Sequence, residues 1–156
     1  MRRRLVRGSV VHRLACGVGF LLLLSAAPAS AGPSAEDRLA GTSSCTDEWT
    51  LSRIRHRFAH GARKVEKREL AIVEVSKIHE VATSVDRPSP IARRWCAASV
   101  ALSDGTRSTL TWVVDGGAGF AGPGLARIPD DVEFCVAGHD PWRVHDGACR
   151  TTRRWW

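Results

Sequence analysis

Three patterns are missing from this 156-residue sequence, and each absence excludes a class of protein. The longest apolar run, within residues 14–27, is shorter than the ~20 residues of a membrane-spanning helix, so no transmembrane segment is expected. No Cys-x-x-Cys pair occurs, which argues against a thioredoxin-like redox site and a zinc knuckle. No Gly-x-Ser-x-Gly nucleophile elbow is present either. Without such motifs, the sequence gives little support for a catalytic function.

Acidic residues are absent from the first 31 positions, which instead have the three parts of a secretory signal peptide. The basic n-region is formed by Arg2, Arg3, Arg4 and Arg7. The apolar run follows, and Ala29-Ser30-Ala31 has the small-x-small pattern of a cleavage site. We therefore predict a signal peptide over residues 1–31 and export to the periplasm or beyond the cell. The arginines fit a general secretory signal or, more loosely, a twin-arginine signal.

The excess of basic residues belongs mainly to the predicted signal peptide. The whole chain has 23 basic and 16 acidic residues, and the first 31 positions hold five arginines and no acid. The remaining 125 residues have 18 basic against 16 acidic side chains. The high isoelectric point is therefore no argument for nucleic-acid binding. The length is that of one domain, over residues 45–156, preceded by a flexible lead-in over 32–44.

Four cysteines remain after Cys16 is removed with the signal peptide. An even number in an exported chain predicts two disulfides, with three connectivities available. We favour Cys45–Cys96, which would tie the start of a helix to a central strand, and Cys135–Cys149, which would close a short loop. Each would contribute ~2–4 kcal/mol of stability. These cysteines are interpreted as structural.

The pattern of apolar residues predicts an α+β fold. A capping box at Ser44-x-x-Asp47 would open a helix whose apolar face has Leu51, Ile54, Phe58 and Val65. Gly61 would end or weaken this helix. Four or five strands would follow, giving one N-terminal amphipathic helix packed on a curled antiparallel sheet, the element order of cystatin-like folds.

The strands are predicted from alternating apolar residues and from turn residues. We expect strands over 70–81, with irregular alternation at 76–78, and over 132–136, with a short one over 142–145. The central hairpin has a three-residue Ser103-Asp104-Gly105 turn, because only this length puts Cys96 opposite Trp112 with both apolar sets on one face. Loops are expected over 84–91 and 115–131. The tryptophans assigned to the core are Trp49, Trp95, Trp112 and Trp142.

The polar face of the predicted helix is strongly basic. It has Arg53, His56, Arg57, His60, Lys64 and Lys67, and the chain ends in Arg153-Arg154-Trp155-Trp156. Cations beside aromatic residues indicate binding to an anionic envelope surface or to an acidic envelope protein. The alternative is a solvated outer face of a core helix.

Two His-Asp pairs, His139-Asp140 and His145-Asp146, lie on either side of Pro141-Trp142. Two imidazoles and two carboxylates so close in sequence suggest a metal site or acid–base chemistry. The alternative is structural, because Asp-Pro and Asp-Gly are common turn dipeptides. No catalytic residue is assigned.

Three further patterns lack a required part. Gly117-x-Gly119-x-x-Gly122 matches a dinucleotide fingerprint, but Pro123-Gly124 stands where a helix should begin. His56 and His60 have a metal-ligand spacing, but Arg57 replaces the glutamate of the zincin motif, and other cations share the face. The Gln-x-Val-x-Gly loop of cystatins is absent, so protease inhibition is not expected. No cofactor is predicted.

The chain resembles a group of small exported bacterial proteins of unknown function, over roughly residues 45–154. The resemblance rests on Arg94-Trp95-Cys96-Ala97-Ala98, Asp104-Gly105, Gly119-Phe120-Ala121-Gly122, Glu133-Phe134-Cys135-Val136-Ala137-Gly138, Asp140-Pro141-Trp142 and Cys149-Arg150. It implies an exported, disulfide-bonded domain and brings no activity or ligand. Together with the residue patterns, it leads us to predict a non-enzymatic binding or structural module of the cell envelope. The alternative is a small metal-binding or hydrolytic protein that uses the two His-Asp pairs.

Overall fold

The computed structural model describes residues 34–85, 91–119 and 129–153. The helical elements are α1 (Ala35–Ala40), α2 (Glu48–Gly61), a π-helical turn (Ala62–Glu66) and a short 3₁₀ turn (Gly116–Gly119). The strands are β1 (Ile72–Ser84), β2 (Arg93–Leu102), β3 (Arg107–Asp115) and β4 (Asp131–Val136). The four strands form one antiparallel sheet in the order β1-β2-β3-β4. The predicted α+β class is confirmed.

Several predicted features lie outside the described residues: the signal peptide over 1–31, most of the loop over 84–91, Gly122 of the glycine motif, and Arg154-Trp155-Trp156. Within the described part of the chain, no helix has both the length and the apolar character needed to cross a membrane.

The β2–β3 hairpin has the predicted turn and register. Cys96 lies opposite Trp112, and Ala98 lies opposite Leu110. The turn is closed by the N–H of Leu102, which donates to the carbonyl of Thr106 at 2.9 Å, and Gly105 has a φ of +86°. A three-residue turn with a left-handed glycine keeps the two apolar faces on the same side of the sheet.

Strand β1 is bulged where the alternation of apolar residues is broken. The pairing with β2 shifts between Ser76 and His79, and Lys77 has a φ of +54°. A bulge inserts an extra residue, which bends an edge strand and disfavours its pairing with another chain. The strand begins at Ile72 and ends at Ser84, two and three residues later than predicted.

Helix α2 contributes Leu51, Ile54 and Phe58 to the core that it shares with the sheet. Its N-cap is Asp47, whose carboxylate accepts from the N–H of Thr50 at 2.8 Å. The predicted cap at Ser44 is therefore wrong, because the charged side chain nearer the first turn takes that position. Val65 follows in the wider π turn, which changes the helical phase, so it is only half-buried and Ala62 is buried instead.

Where composition predicts a flexible lead-in, residues 34–44 contain helix α1. Ser34 and Asp37 form a capping box at its start. Arg94 of β2 donates from Nη2 to the carbonyl of Leu39 in this helix at 3.3 Å and from Nε to the carbonyl of Ser43 beyond it at 3.1 Å. This segment is therefore held against the end of the sheet by backbone contacts that composition does not show.

Both disulfides have the favoured pairing. Cys45–Cys96 links the approach to α2 with β2, and Cys135–Cys149 links β4 with the C-terminal loop. The strand predicted over 142–145 is wrong, because residues 139–153 form successive turns. Positive φ angles at Arg143, Asp146 and Cys149 are incompatible with an extended strand.

Candidate binding cleft

A cleft of about 230 Å³ lies between the end of α2 and the C-terminal loop. One wall is formed by Arg57, Phe58 and the π turn, and the other by residues 139–145. Phe134 of β4 also lines it. We call this feature the 139–145 cleft. Most of its lining is aromatic or aliphatic, which is typical of binding sites for small molecules and for single side chains.

His139 is paired with Glu66 inside the cleft. Its Nδ1 lies 3.2 Å from Oε2 of Glu66, and the two side chains are only 12% and 16% exposed. The ring of His139 also meets Phe58 edge-on, with the ring centroids 5.5 Å apart. No hydrogen bond links the Nε2 of His139 to a described residue. The imidazole of His139 is thus bonded through Nδ1, and its Nε2 has no partner among the described residues.

The sequence patterns do not identify Glu66 as the partner of His139. Helical and strand periodicities do not bring residues 66 and 139 together, because their contact depends on how the C-terminal loop folds over α2. One indication was present: Glu66 is the only acidic residue between Glu48 and Glu69, a stretch that is otherwise rich in Arg, Lys and His. A single carboxylate among so many cations is a candidate for a specific contact.

Asp140 organises the backbone of the loop instead of pairing with His139. Its carboxylate accepts from the N–H groups of Val144 and His145 at 2.8 Å and of Gly147 at 2.9 Å. Burial raises the pKa of Asp140, but these three hydrogen bonds outweigh it and hold the pKa below its usual value. Asp140 therefore stabilises a turn, as an Asp-Pro dipeptide suggests.

The second His-Asp pair points to other partners. The Nδ1 of His145 is hydrogen-bonded to the Oγ1 of Thr151, and Asp146 forms an ion pair with Arg150 at 2.9 Å. Across the described ranges, no three His, Cys, Asp or Glu side chains are grouped so as to hold a metal ion. His56 and His60 are both exposed on α2. His139, Asp140 and His145 all line the cleft, but their side chains are bonded to different partners.

Exposed apolar side chains border the cleft. Trp142 is 74% exposed and Val144 is 67% exposed. The prediction that Trp142 belongs to the core is therefore wrong, and the same holds for Trp49, which is half exposed under the guanidinium of Arg53. Of the four tryptophans assigned to the core, Trp112 is fully buried and Trp95 is half-buried. Large apolar side chains in water beside a cleft indicate an interaction site.

The basic face of α2 divides into two groups with different contacts. Arg53 donates to the carbonyl of Asp130 at 3.1 Å, and Arg57 donates to that of Val132 at 2.9 Å. Both arginines thus bind the backbone at β4. His60, Lys64 and Lys67 are exposed and form no ion pair with a described residue. The arginines of the first group are held by contacts at β4, which include an ion pair between Arg53 and Asp131 at 3.6 Å, whereas no described contact holds the lysine side chains of the second group.

A second cleft, of about 340 Å³, lies beside the other face of the sheet, where Trp95, Ala97, Thr109 and Thr111 line it. The hydroxyls of Thr111 and Thr152 are hydrogen-bonded to each other there at 2.7 Å. Thr111 and Thr152 thus engage each other, whereas the lining of the 139–145 cleft includes the exposed side chains of Trp142 and Val144. We therefore take the 139–145 cleft as the candidate site.

Comparisons with protein-family models, with curated proteins and with solved structures gave no match.

Proposed function

We propose that this chain is an exported, non-enzymatic binding module of the cell envelope, which holds an acidic segment of an envelope protein in the 139–145 cleft. The observation that carries the proposal is a pre-formed apolar cleft with exposed Trp142 and Val144, beside Lys64 and Lys67, which have no ion-pair partner among the described residues. The cleft would receive an apolar anchor of the segment, and the cations would attract its acidic residues.

The loop that forms one wall is constrained at several points. The Cys135–Cys149 disulfide joins it to β4, and three N–H groups bind the carboxylate of Asp140. A wall that is already ordered loses little conformational entropy on binding, which favours affinity. This construction supports a binding role more directly than the exposure of Trp142 does alone.

The charges around the cleft favour an acidic partner. The acidic groups are already engaged: Glu66 by His139, Asp140 by the backbone and Asp146 by Arg150. Among the cations, Lys64 directly precedes the cleft residue Val65, and His60 directly precedes Gly61. Each exposed ion pair contributes only ~0.2–1 kcal/mol, so these charges would set orientation and salt dependence.

The cleft gives less support to the hydrolytic alternative. A His–carboxylate pair assists catalysis when it activates a nucleophile within hydrogen-bonding reach. Among the described residues that line the cleft there is no Ser, Thr or Cys. The Glu66–His139 pair therefore has no side-chain nucleophile to activate there, and binding is the function that the arrangement supports better.

Export is part of the proposal. Two disulfides in one small domain support an oxidising compartment. We expect the intact mass of protein from native envelope extracts to correspond to a chain that begins at Gly32 and is four hydrogens lighter than the reduced form. Retention of the first 31 residues, or free thiols in fresh material, would contradict export and oxidation.

A cystatin-like layout is proposed for the fold only. One long helix followed by four antiparallel strands in chain order supports it. Fold likeness of this kind carries no inference about activity.

A peptide titration tests the binding role. The probe is an acidic pentapeptide with phenylalanine at its centre and two glutamates on each side, and a second peptide has lysines in place of the glutamates. We expect saturable shifts of the Trp142 indole N–H in NMR spectra with the acidic peptide only, weakening as salt is added. Trp142→Ala should abolish binding and Lys64→Glu should weaken it.

The matched control is Lys77→Glu, which reverses an exposed cation on β1, the strand at the opposite edge of the sheet from β4. It should bind the acidic peptide as the native protein does. Vesicles of phosphatidylglycerol are tested in parallel. Binding to the vesicles without binding to the peptide would overturn the proposal in favour of an anionic surface, and binding to neither would overturn both.

A further inference from the structure

The Glu66–His139 pair gives the cleft a hydrogen-bonding group that an apolar anchor would leave unused. The Nδ1 of His139 lies 3.2 Å from the carboxylate of Glu66, and the side chain of His139 is only 12% exposed. A polar atom that a ligand covers without bonding it costs free energy. The imidazole of His139 therefore favours ligand side chains that can form a hydrogen bond with it.

The carboxylate of Glu66 determines which kind of ligand group His139 can bind. A carboxylate oxygen accepts hydrogen bonds, so the contact with Glu66 matches the imidazole tautomer that carries its proton on Nδ1. The Nε2 of that tautomer has a lone pair and accepts a hydrogen bond. No described residue supplies a donor to it. The matching ligand group is thus an O–H or N–H donor.

The backbone around Glu66 supports a functional role. Glu66 is the last residue of the π-helical turn, and Lys67 after it has a left-handed φ of +57°. A π turn is rare within a helix and is frequent at functional sites. Here the turn contributes Ala62, Val65 and Glu66 to the wall of the cleft. The irregular backbone and the carboxylate that orients His139 belong to one element.

The cleft is large enough to hold one aromatic ring. A cavity of about 150 Å³ is enough to hold benzene. At about 230 Å³ the 139–145 cleft accommodates an aromatic ring with a small polar substituent. Aromatic walls formed by Phe58, Phe134 and Trp142 suit such a ring through edge and offset contacts.

We propose that the 139–145 cleft binds a phenol group, the side chain of a tyrosine in the acidic partner segment, with its hydroxyl donating to Nε2 of His139. This inference rests on the proposed function and identifies the anchor. The phenol ring fills the apolar part of the cleft, and its O–H is the donor that the imidazole lacks.

The experiment compares three acidic pentapeptides that differ only at the central residue: tyrosine, phenylalanine and O-methyltyrosine. O-methylation removes the donor and keeps the ring and the oxygen. Calorimetric titration of the native protein should show the tyrosine peptide binding about five- to tenfold more tightly than either of the others. The ¹⁵N shift of the His139 Nε2 should move with the tyrosine peptide only. In His139→Phe, which keeps an aromatic ring beside Phe58, the preference should disappear.

The comparison on native protein requires no variant, so it stands even where His139→Phe fails to fold. Equal affinities for the three peptides would overturn the phenol inference and leave the binding role intact. A tyrosine preference that persists in folded His139→Phe would also overturn it, by placing the donor contact elsewhere. Absence of binding by all three would overturn the binding role itself.

Discussion

Arginines and lysines on one helix have different roles in this molecule. The guanidinium groups of Arg53 and Arg57 reach carbonyl oxygens at β4, where edge backbone groups would otherwise face water. Lys64, on the next part of the helical surface, has no such contact with a described residue. Residue type alone does not distinguish a cation that stabilises the fold from one that is available to a partner.

Substitution of Arg57 and of Lys64 should separate these roles. We expect Arg57→Ala to lower the free energy of unfolding by about 1 kcal/mol, because a hydrogen bond to the Val132 carbonyl is lost. Lys64→Ala should change it by less than ~0.5 kcal/mol. Urea unfolding followed by circular dichroism measures both. Equal effects of the two substitutions would contradict the division of the basic face.

Asp140 should make stability depend on pH in a defined direction. Its pKa is lower in the folded state, since the N–H groups of Gly147, His145 and Val144 outweigh the effect of burial. The ionised carboxylate therefore contributes stability above the unfolded-state pKa of ~3.9, and this contribution is lost as the pH falls through the folded-state pKa. The loop that forms one wall of the cleft should loosen in acid.

Asp140→Asn tests this linkage against Asp146→Asn as the control. At pH 7 we expect Asp140→Asn to cost about 1 kcal/mol, as the loss of a capping carboxylate does, and the cost should shrink at pH 3. Asp146→Asn breaks only an exposed i,i+4 ion pair with Arg150, so its effect at pH 7 should stay below ~0.5 kcal/mol. Urea unfolding at the two pH values measures both. A cost for Asp140→Asn that does not change with pH would refute the assignment.

Among the elements, the β2–β3 hairpin was predictable from sequence because its determinants are local. Alternation fixes which residues share a face, and the glycine at position 105 fixes the turn. The π turn and the loop over 139–153 have no comparable periodicity. Their conformations depend on side-chain contacts across the fold, such as Asp140 with its own loop and His139 with Glu66.

The site was therefore predicted only in part. The sequence drew attention to His139 and Asp140, and the structure places both beside the cleft. The partner of His139 and the exposure of Trp142 were missed, since burial of a tryptophan is an average tendency that a local turn can override. Periodic patterns within one element predict the conformation of that element, but they do not predict which elements contact one another.

The contact between the segment after α1 and the end of β3 depends on a glycine. A Cβ at Gly116 would lie 2.6 Å from Oγ1 of Thr42 and 3.3 Å from the carbonyl of Ala92. Thr42 is itself buried and donates to the carbonyl of Arg38. The close approach leaves no space for a side chain at position 116.

We expect Gly116→Ala to destabilise the protein by about 1–3 kcal/mol through overpacking. The double variant with Thr42→Ala should recover part of that loss, because the nearest clashing atom is removed. Gly61→Ala is the control: an added Cβ there meets nothing within 4 Å, so stability should be equal or slightly higher. Thermal unfolding measures the stability of these three variants. Additive losses in the double variant would show that the segment does not pack against Gly116.

In the whole molecule, the two disulfides constrain different parts. Cys45–Cys96 spans 51 positions and connects the approach to α2 with a central strand. Cys135–Cys149 spans 14 positions and connects β4 with the loop that forms one wall of the cleft. A longer closed loop removes more entropy from the unfolded chain, so the first bond should contribute more to global stability. The second should matter more to binding.

Paired alanine variants should separate stability from binding. Cys45→Ala with Cys96→Ala is expected to cost about 4 kcal/mol, and Cys135→Ala with Cys149→Ala about 3 kcal/mol. Below the unfolding transition, the first variant should still bind the acidic tyrosine peptide, because its cleft keeps both walls. The second should retain the sheet by circular dichroism and lose at least tenfold in affinity, because its loop must be ordered on binding. Urea unfolding and calorimetry measure the two effects. Native affinity in the second variant would mean that the loop is ordered without its disulfide, and pre-organisation of the cleft would then have to come from the Asp140 hydrogen bonds alone.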